Sequence, residues 1–199
     1  MKAPLLLTLM LLTGCGPLYL RTGTIAFNSD TALTPKTGTW HSIEVPDAPS
    51  PTHVWMQEAA GPAEQFNLAL CEQHPPLNAD VRVQLRAIEG TLDQGGGIVW
   101  RATDEKNYYL ARWNPLEKNV CVYKVVAGTR TLLQSHPSEA AGGWHTLRVW
   151  FSRDKIEVWF DKQSLGEFKD TSFLGAGMLG LWTKSDARTQ FDDLETLEF

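Results

Sequence analysis

Residues 95–115, "GGGIVWRATDEKNYYLARWNP", decide the reading of the fold. Two short runs rich in aromatic and β-branched residues flank the polar stretch 104–107, which suits a four-residue hairpin turn. Successive side chains of a strand point to opposite faces. Val99, Arg101, Thr103, Tyr108, Leu110 and Arg112 then share one face, and Ile98, Trp100, Ala102, Tyr109, Ala111 and Trp113 share the other. The second set is the apolar one and is read as core. Arg101 and Arg112 are thereby assigned to the outward face, where a planar fork of donors suits vicinal hydroxyls or a carboxylate. The competing reading pairs them with acids on neighbouring strands, such as Asp186, Asp192 or Asp193.

The same period of two continues outward from this hairpin. In "DVRVQLRAIEG", Val81, Val83, Leu85 and Ala87 alternate with Arg82, Gln84, Arg86 and Ile88. In "WHTLRVWFSRDKIEVWFD", a turn at Arg153 and Asp154 sets Leu147, Val149 and Phe151 on a core face with Ile156, Val158 and Phe160. That register places Arg148 against Trp159 and Trp150 against Glu157 on the opposite face, a geometry open to a cation–π contact. Trp150 and Trp159 would either stack on sugar rings or be covered by another segment. No apolar pattern of period 3.6 runs long enough for a substantial helix. Short apolar runs separated by Gly, Pro, Asn and Asp, with connections too short for parallel crossovers, predict an all-β protein: an antiparallel two-sheet jelly-roll sandwich.

Composition narrows the function. The 199 residues are 43% hydrophobic with eight Trp and eight Phe, which suits one domain with a sizeable core. A net charge of -5 and the lack of any Lys/Arg-rich run exclude the electrostatic footprint of a nucleic-acid binder. At the N-terminus, Lys2 precedes an apolar stretch over residues 3–12, too short for a bilayer of ~30 Å. The "LTGC" that follows, ending at Cys15, resembles a bacterial lipobox, where the chain is cut before the cysteine and the thiol is lipidated. The expected organisation is a signal peptide over 1–14, a lipidated tether over 15–26 and a β-sandwich over 27–199. Gly16 after the cysteine, where an inner-membrane protein would carry Asp, favours the outer membrane. Cys71 and Cys121 either pair or stand as small buried hydrophobes.

"WRATDEKNYYLARWNPLEKNVCVYKVVAGTRT", "GGWHTLRVWF", "GLWTKSDARTQFDDLE", "FNSDTALTPKTGTW" and "VPDAPSPTHVWMQ" together resemble the concanavalin A-like (laminin G-like) domains grouped as 3-keto-disaccharide hydrolase domains. The resemblance runs from about Phe27 to Phe199 and departs from the pattern at Pro115 and Cys121. It implies a jelly-roll sandwich with a sugar-facing concave sheet, among relatives that include both enzymes and binding modules. The expected ligand-binding set is Arg101, Tyr108, Arg112, Asn114, Lys184 and Asp186.

Catalysis is less well supported by the residues. Glycosidases need two carboxyls across the scissile bond. The Glu-x-Asp-x-Glu string of family 16 hydrolases is absent, and Asp192 and Asp193 of "FDDLETLE" point to opposite faces. A 3-keto sugar needs only one base and one acid or metal for elimination, and Glu117, Asp186 or Asp192 would be the candidate base. The five histidines lack metal-ligand spacing. No cofactor follows from a motif, although a calcium ion near Asp186 and Asp192 is compatible with the fold. The sequence therefore supports a monomeric, membrane-anchored, saccharide-binding envelope protein, with a hydrolase and a purely structural lipoprotein as the alternatives.

Overall fold

A computed structural model describes residues 21–25, 27, 32–58 and 61–199. The expected signal peptide, Cys15 and the first part of the expected tether lie outside the described residues. In chain order the strands are β1 Arg21–Ile25, β2 Thr34–Thr37, β3 Trp40–Glu44, β4 His53–Gln57, β5 Phe66–Cys71, β6 Ala79–Glu89, β7 Gly96–Asp104, β8 Asn107–Asn114, β9 Asn119–Val126, β10 Thr129–Pro137, β11 His145–Ser152, β12 Lys155–Phe160, β13 Gln163–Lys169, β14 Met178–Lys184 and β15 Arg188–Glu198. No helix occurs among the described residues.

Every strand pair is antiparallel, and the strands form two sheets. The front sheet runs β10-β9-β8-β7-β14-β5-β2. The back sheet runs β13-β12-β11-β6-β15-β4-β3, with β1 added along β15. One flank of β15 pairs with β6; the other is shared, Thr189 to Phe191 with β4 and Leu194 to Glu198 with β1. β1 is a correction to the expected domain boundary: residues 21–25, read as tether, belong to the back sheet.

The core lies between the sheets, as the alternation requires. Trp100, Tyr109, Ala111 and Trp113 of the front sheet meet Val83, Leu85, Val149, Phe151, Phe160 and Phe191 of the back sheet, all buried. Trp100 stacks on Phe151 with ring centroids 6.3 Å apart, and Trp113 lies 5.5 Å from Phe160. The hairpin β11–β12 has the expected register: Arg148 faces Trp159 and Trp150 faces Glu157. The Arg148 guanidinium sits 4.2 Å over the Trp159 ring while pairing with Asp80. Trp150 is covered by the ring of Phe199, 5.8 Å away. Cys71 and Cys121 are both free thiols, on β5 and β9, with β14, β7 and β8 between them.

The front sheet curls strongly. Arg130 on edge strand β10 stands 5.7 Å from the Trp182 ring on β14 and 5.4 Å from Phe66 on β5. β14 is the fourth strand from β10, about 19 Å away in a flat sheet at ~4.8 Å per strand. Curvature brings the two sides together across the outward face and turns that face into a trough. Leu68, Leu70, Val99, Tyr108, Leu110, Val125 and Trp182 form its buried floor as a second cluster.

Candidate functional site

The trough is built on the alternation of β8 and β9. Arg112 pairs across the ladder with Gly97 on one side and Cys121 on the other, and Trp182 also faces Gly97. Glycine is required there, since a Cβ on Gly97 would stand 1.9 Å from the Ala111 carbonyl oxygen. The bare position lets the backbones close up and leaves Arg112 and Trp182 flanking it.

Arg112 is outward-facing as its parity predicts, yet only 2% exposed. Its guanidinium donates to Glu117 Oε2 at 2.5 Å, Asn119 Oδ1 at 2.7 Å and the Tyr123 hydroxyl at 3.1 Å. Its ion-pair partner is thus Glu117, the candidate base, rather than Asp186, Asp192 or Asp193. Burial works against the Arg112 cation, but Tyr123 and Glu117 outweigh it and hold its pKa above the ordinary value. Glu117 answers in kind. Partial burial raises its carboxyl, and Arg112 and Asn119 more than reverse this, so it lies below the usual range.

Asn114 ties two loops together. Its amide donates to Asp93 Oδ1 at 2.8 Å, and its oxygen accepts the backbone N–H groups of Leu116 and Glu117. Asn114 is completely buried, so its role is to position the Asp93 and Glu117 loops. Asp93 is 5% exposed and was not anticipated from the sequence. Burial pushes its carboxyl up to about 6, against the opposing pull of Arg112. Asp186 does not enter the trough as a ligand group. It accepts the N–H groups of Thr91, Leu92 and Asp93 and the Thr91 hydroxyl, latching the loop that carries Asp93. Partial burial raises the Asp186 carboxyl, but those donors bring it down to about 2.

Tyr108 lies on the outward side of β8, buried in the second cluster, and Lys184 ends β14. The Lys184 ammonium has Glu64 3.8 Å away. Burial pushes the Tyr108 hydroxyl up to about 12, while Trp182 and Arg130 pull the other way. That hydroxyl and the Trp182 indole N–H lie buried near one another without a well-shaped hydrogen bond. Arg130, also not anticipated, completes the site 4.4 Å over the Tyr123 ring.

Arg101 is a correction. The β7–β8 register shifts between Trp100 and Asp104, and Arg101 takes a left-handed φ of 51°. This bulge turns Arg101 to the inner side with Trp100 and moves Ala102 to the outward cluster, reversing both expectations. The Arg101 guanidinium sits 5.0 Å from the Phe151 ring and donates to the carbonyls of Arg153, Phe173 and Leu77 at 2.6, 2.8 and 3.2 Å. It is a strut closing one end of the sandwich, 1% exposed. Asp192 is separated from the trough as well. It lies on the back sheet, held by the N–H and hydroxyl of Ser50. Asp186 and Asp192 are engaged by different donors, and no group of three His, Cys, Asp or Glu side chains that could hold a metal occurs among the described residues.

Comparison with solved structures fits this architecture. A carbohydrate-binding module, CBM66 from Bacillus subtilis, superposes with a TM-score of 0.68 at 18% identity, over 84% of this chain and 95% of the module. The fold is a jelly-roll, lectin-like sandwich. A Bacillus subtilis protein of unknown function with a galectin-like fold matches with a TM-score of 0.59 at 10% identity, over 90% and 96% of the two chains. The GH43 protein BlXynB from Bacillus licheniformis gives 0.57 at 17% identity; 88% of this chain covers 39% of that larger one. No family model and no curated protein matches the chain.

Proposed function

We propose that the protein binds a saccharide in the front-sheet trough without turning it over, and that a lipid on Cys15 holds it at a bacterial envelope. The observation that carries the binding reading is the convergence, outside the inter-sheet core, of Arg112, Glu117 and Asp93 with the rings of Tyr123, Trp182 and Phe66. Fixed donors and acceptors beside aromatic faces suit a polyhydroxylated ring, whose hydroxyls need directional partners and whose C–H faces stack on π-systems. The sandwich shared with the CBM66 module supports the same reading. The test is a glycan array followed by calorimetry on the best ligand, with Glu117→Gln as the probe. Glu117 is half-exposed, so the variant should fold; a loss of affinity of about tenfold is expected for one charged hydrogen-bonding partner. An array without hits, or affinity indifferent to Glu117→Gln, would sink the proposal.

One observation favours a second reading, that of a hydrolase or eliminase acting on 3-keto-disaccharides. Asp93 and Glu117 are carboxyls in one cluster whose environments push their pKa values apart, the arrangement that divides acid from base. Release of monosaccharide from a 3-keto disaccharide, abolished in Asp93→Asn, would select it over binding alone. The anchor rests on "LTGC" before Gly16. Mass spectrometry of the membrane fraction should find a lipidated Cys15, and a Cys15→Ser protein that stays membrane-bound would remove it.

A further inference from the structure

The trough contains more cation than its own acids satisfy. Arg112 and Arg130 stand over the same Tyr123 ring, at 5.6 and 4.4 Å. Glu117 is committed to Arg112, and Asp93 accepts from Asn114. Among the described residues Arg130 has no carboxylate within ion-pair distance, and its Nη1 is buried without a hydrogen-bond acceptor. Three rings surround the guanidinium instead, those of Phe66, Tyr123 and Trp182. Ring faces attract a cation, but they do not accept the in-plane N–H groups of the fork. Lys184, on the same face, has the largely exposed Glu64 at 3.8 Å as its ion-pair partner among the described residues. This surplus occurs in a chain whose net charge is -5, so it does not follow from a basic composition.

A guanidinium with one nitrogen withdrawn from water and left without an acceptor is a costly arrangement that a well-placed anion would relieve. We infer that the saccharide taken by this trough is anionic, its carboxylate or sulfate seated on Arg130 while its ring hydroxyls meet Arg112, Glu117 and Asn119. The inference rests on the saccharide-binding reading above and adds the charge class of the ligand. Carboxylate and sulfate share the chemistry that Arg130 recognises: two or more oxygens carrying delocalised charge, able to take a forked donor.

The test uses an array carrying neutral, uronate- or sialate-bearing, and sulfated glycans, probed with the wild-type protein, Arg130→Met and Glu117→Gln. Methionine keeps an apolar stem against the three rings and removes the charge. Anionic glycans should dominate the wild-type hits, with affinity falling at least ~tenfold in Arg130→Met and falling also as salt is raised from about 50 mM to about 500 mM. The uronate and sulfate arms identify which anion is read. In the free protein Arg130→Met should melt at or above the wild-type temperature, because it deletes a buried nitrogen that has no acceptor; a clear fall would make Arg130 a structural strut and overturn the inference. Neutral glycans bound as tightly as anionic ones, with sensitivity to Glu117→Gln retained, would overturn the charge class while leaving saccharide binding intact. Absence of any hit would remove the saccharide reading itself.

Discussion

Replacing Arg101 with alanine should destabilise the domain without touching the trough. The side chain delivers three hydrogen bonds from a charged donor to the carbonyls of Leu77, Arg153 and Phe173, which belong to separate connections at one end of the sandwich. Hydrogen bonds involving a charged group are worth ~1.5–3 kcal/mol each, giving an upper bound of roughly 5–9 kcal/mol. All three are only partly buried, so water replaces some of the lost donors. Lost packing against Phe151 adds to the cost. A net loss of about 3–4 kcal/mol remains, which in a domain of this length lowers Tm by roughly 6–16 °C. Differential scanning calorimetry and urea unfolding, run with Arg101→Ala and Arg101→Lys, measure it. Lysine keeps the charge but cannot reach all three carbonyls with a planar fork, so it should recover less than half of the loss. Binding of the trough ligand below the melting range should be unchanged in both. A Tm for Arg101→Ala within a degree or so of wild type would refute the strut assignment.

Other outcomes follow from the trough. For Asp93 the folded carboxyl, at about 6, holds its proton more tightly than the unfolded one near 3.8; the folded state binds more protons between these values, so stability should fall as pH rises through that window. Asp93→Asn, which keeps the oxygen facing Asn114, should flatten this part of the urea-midpoint profile and leave the protein more stable at pH 7. Gly97→Ala should cost about 1–3 kcal/mol through collision with the Ala111 carbonyl, read as a lower urea midpoint. Asp186→Ala frees the loop over Thr91 to Asp93, so ligand affinity should drop several-fold with ~1–2 kcal/mol of stability, comparable with losing a helix cap; affinity held at the wild-type value would show that the latch does not position the site.

Most of the fold is legible in the chain because period-two alternation is a local property. The hairpin from His145 to Phe160 has the register its sequence gives, down to Arg148 over Trp159. The same reasoning holds in 95–115 until Arg101, where it fails for a reason outside the stretch. The residue just before β14 runs so close that a Cβ on Gly177 would stand 2.5 Å from the Arg101 backbone. That approach, 76 residues later in the chain, coincides with the bulge, and no local pattern announces it. Arg112 and Tyr108 were assigned their face by parity. Arg130 carried the same signal: β10 sets it against Val125, on the side of Tyr123, and a register argument for that hairpin would have found it. Asp93 carried none. It sits in a loop, and its importance comes from burial beside Asn114, which depends on how the two loops meet.

The positions of the two last strands bear on the order of assembly. β14 lies between β7 and β5, and β15 lies between β6 and both β4 and β1, so each late strand joins an early block of its sheet to a middle one. Until these two are available, the strands from β1 to β5 have no ladder connecting them to β6 through β13. A chain delivered N-terminus first by a ribosome therefore emerges with its middle hairpins able to zip locally, while the early pairs β3–β4 and β2–β5 keep their other edges open. Closure must join residues as far apart as Arg21 and Glu198, which makes the final step slow in a topology dominated by distant contacts. During that interval the early strands are the segment most exposed to pairing with the wrong neighbour, and the one a holding chaperone would have most reason to cover.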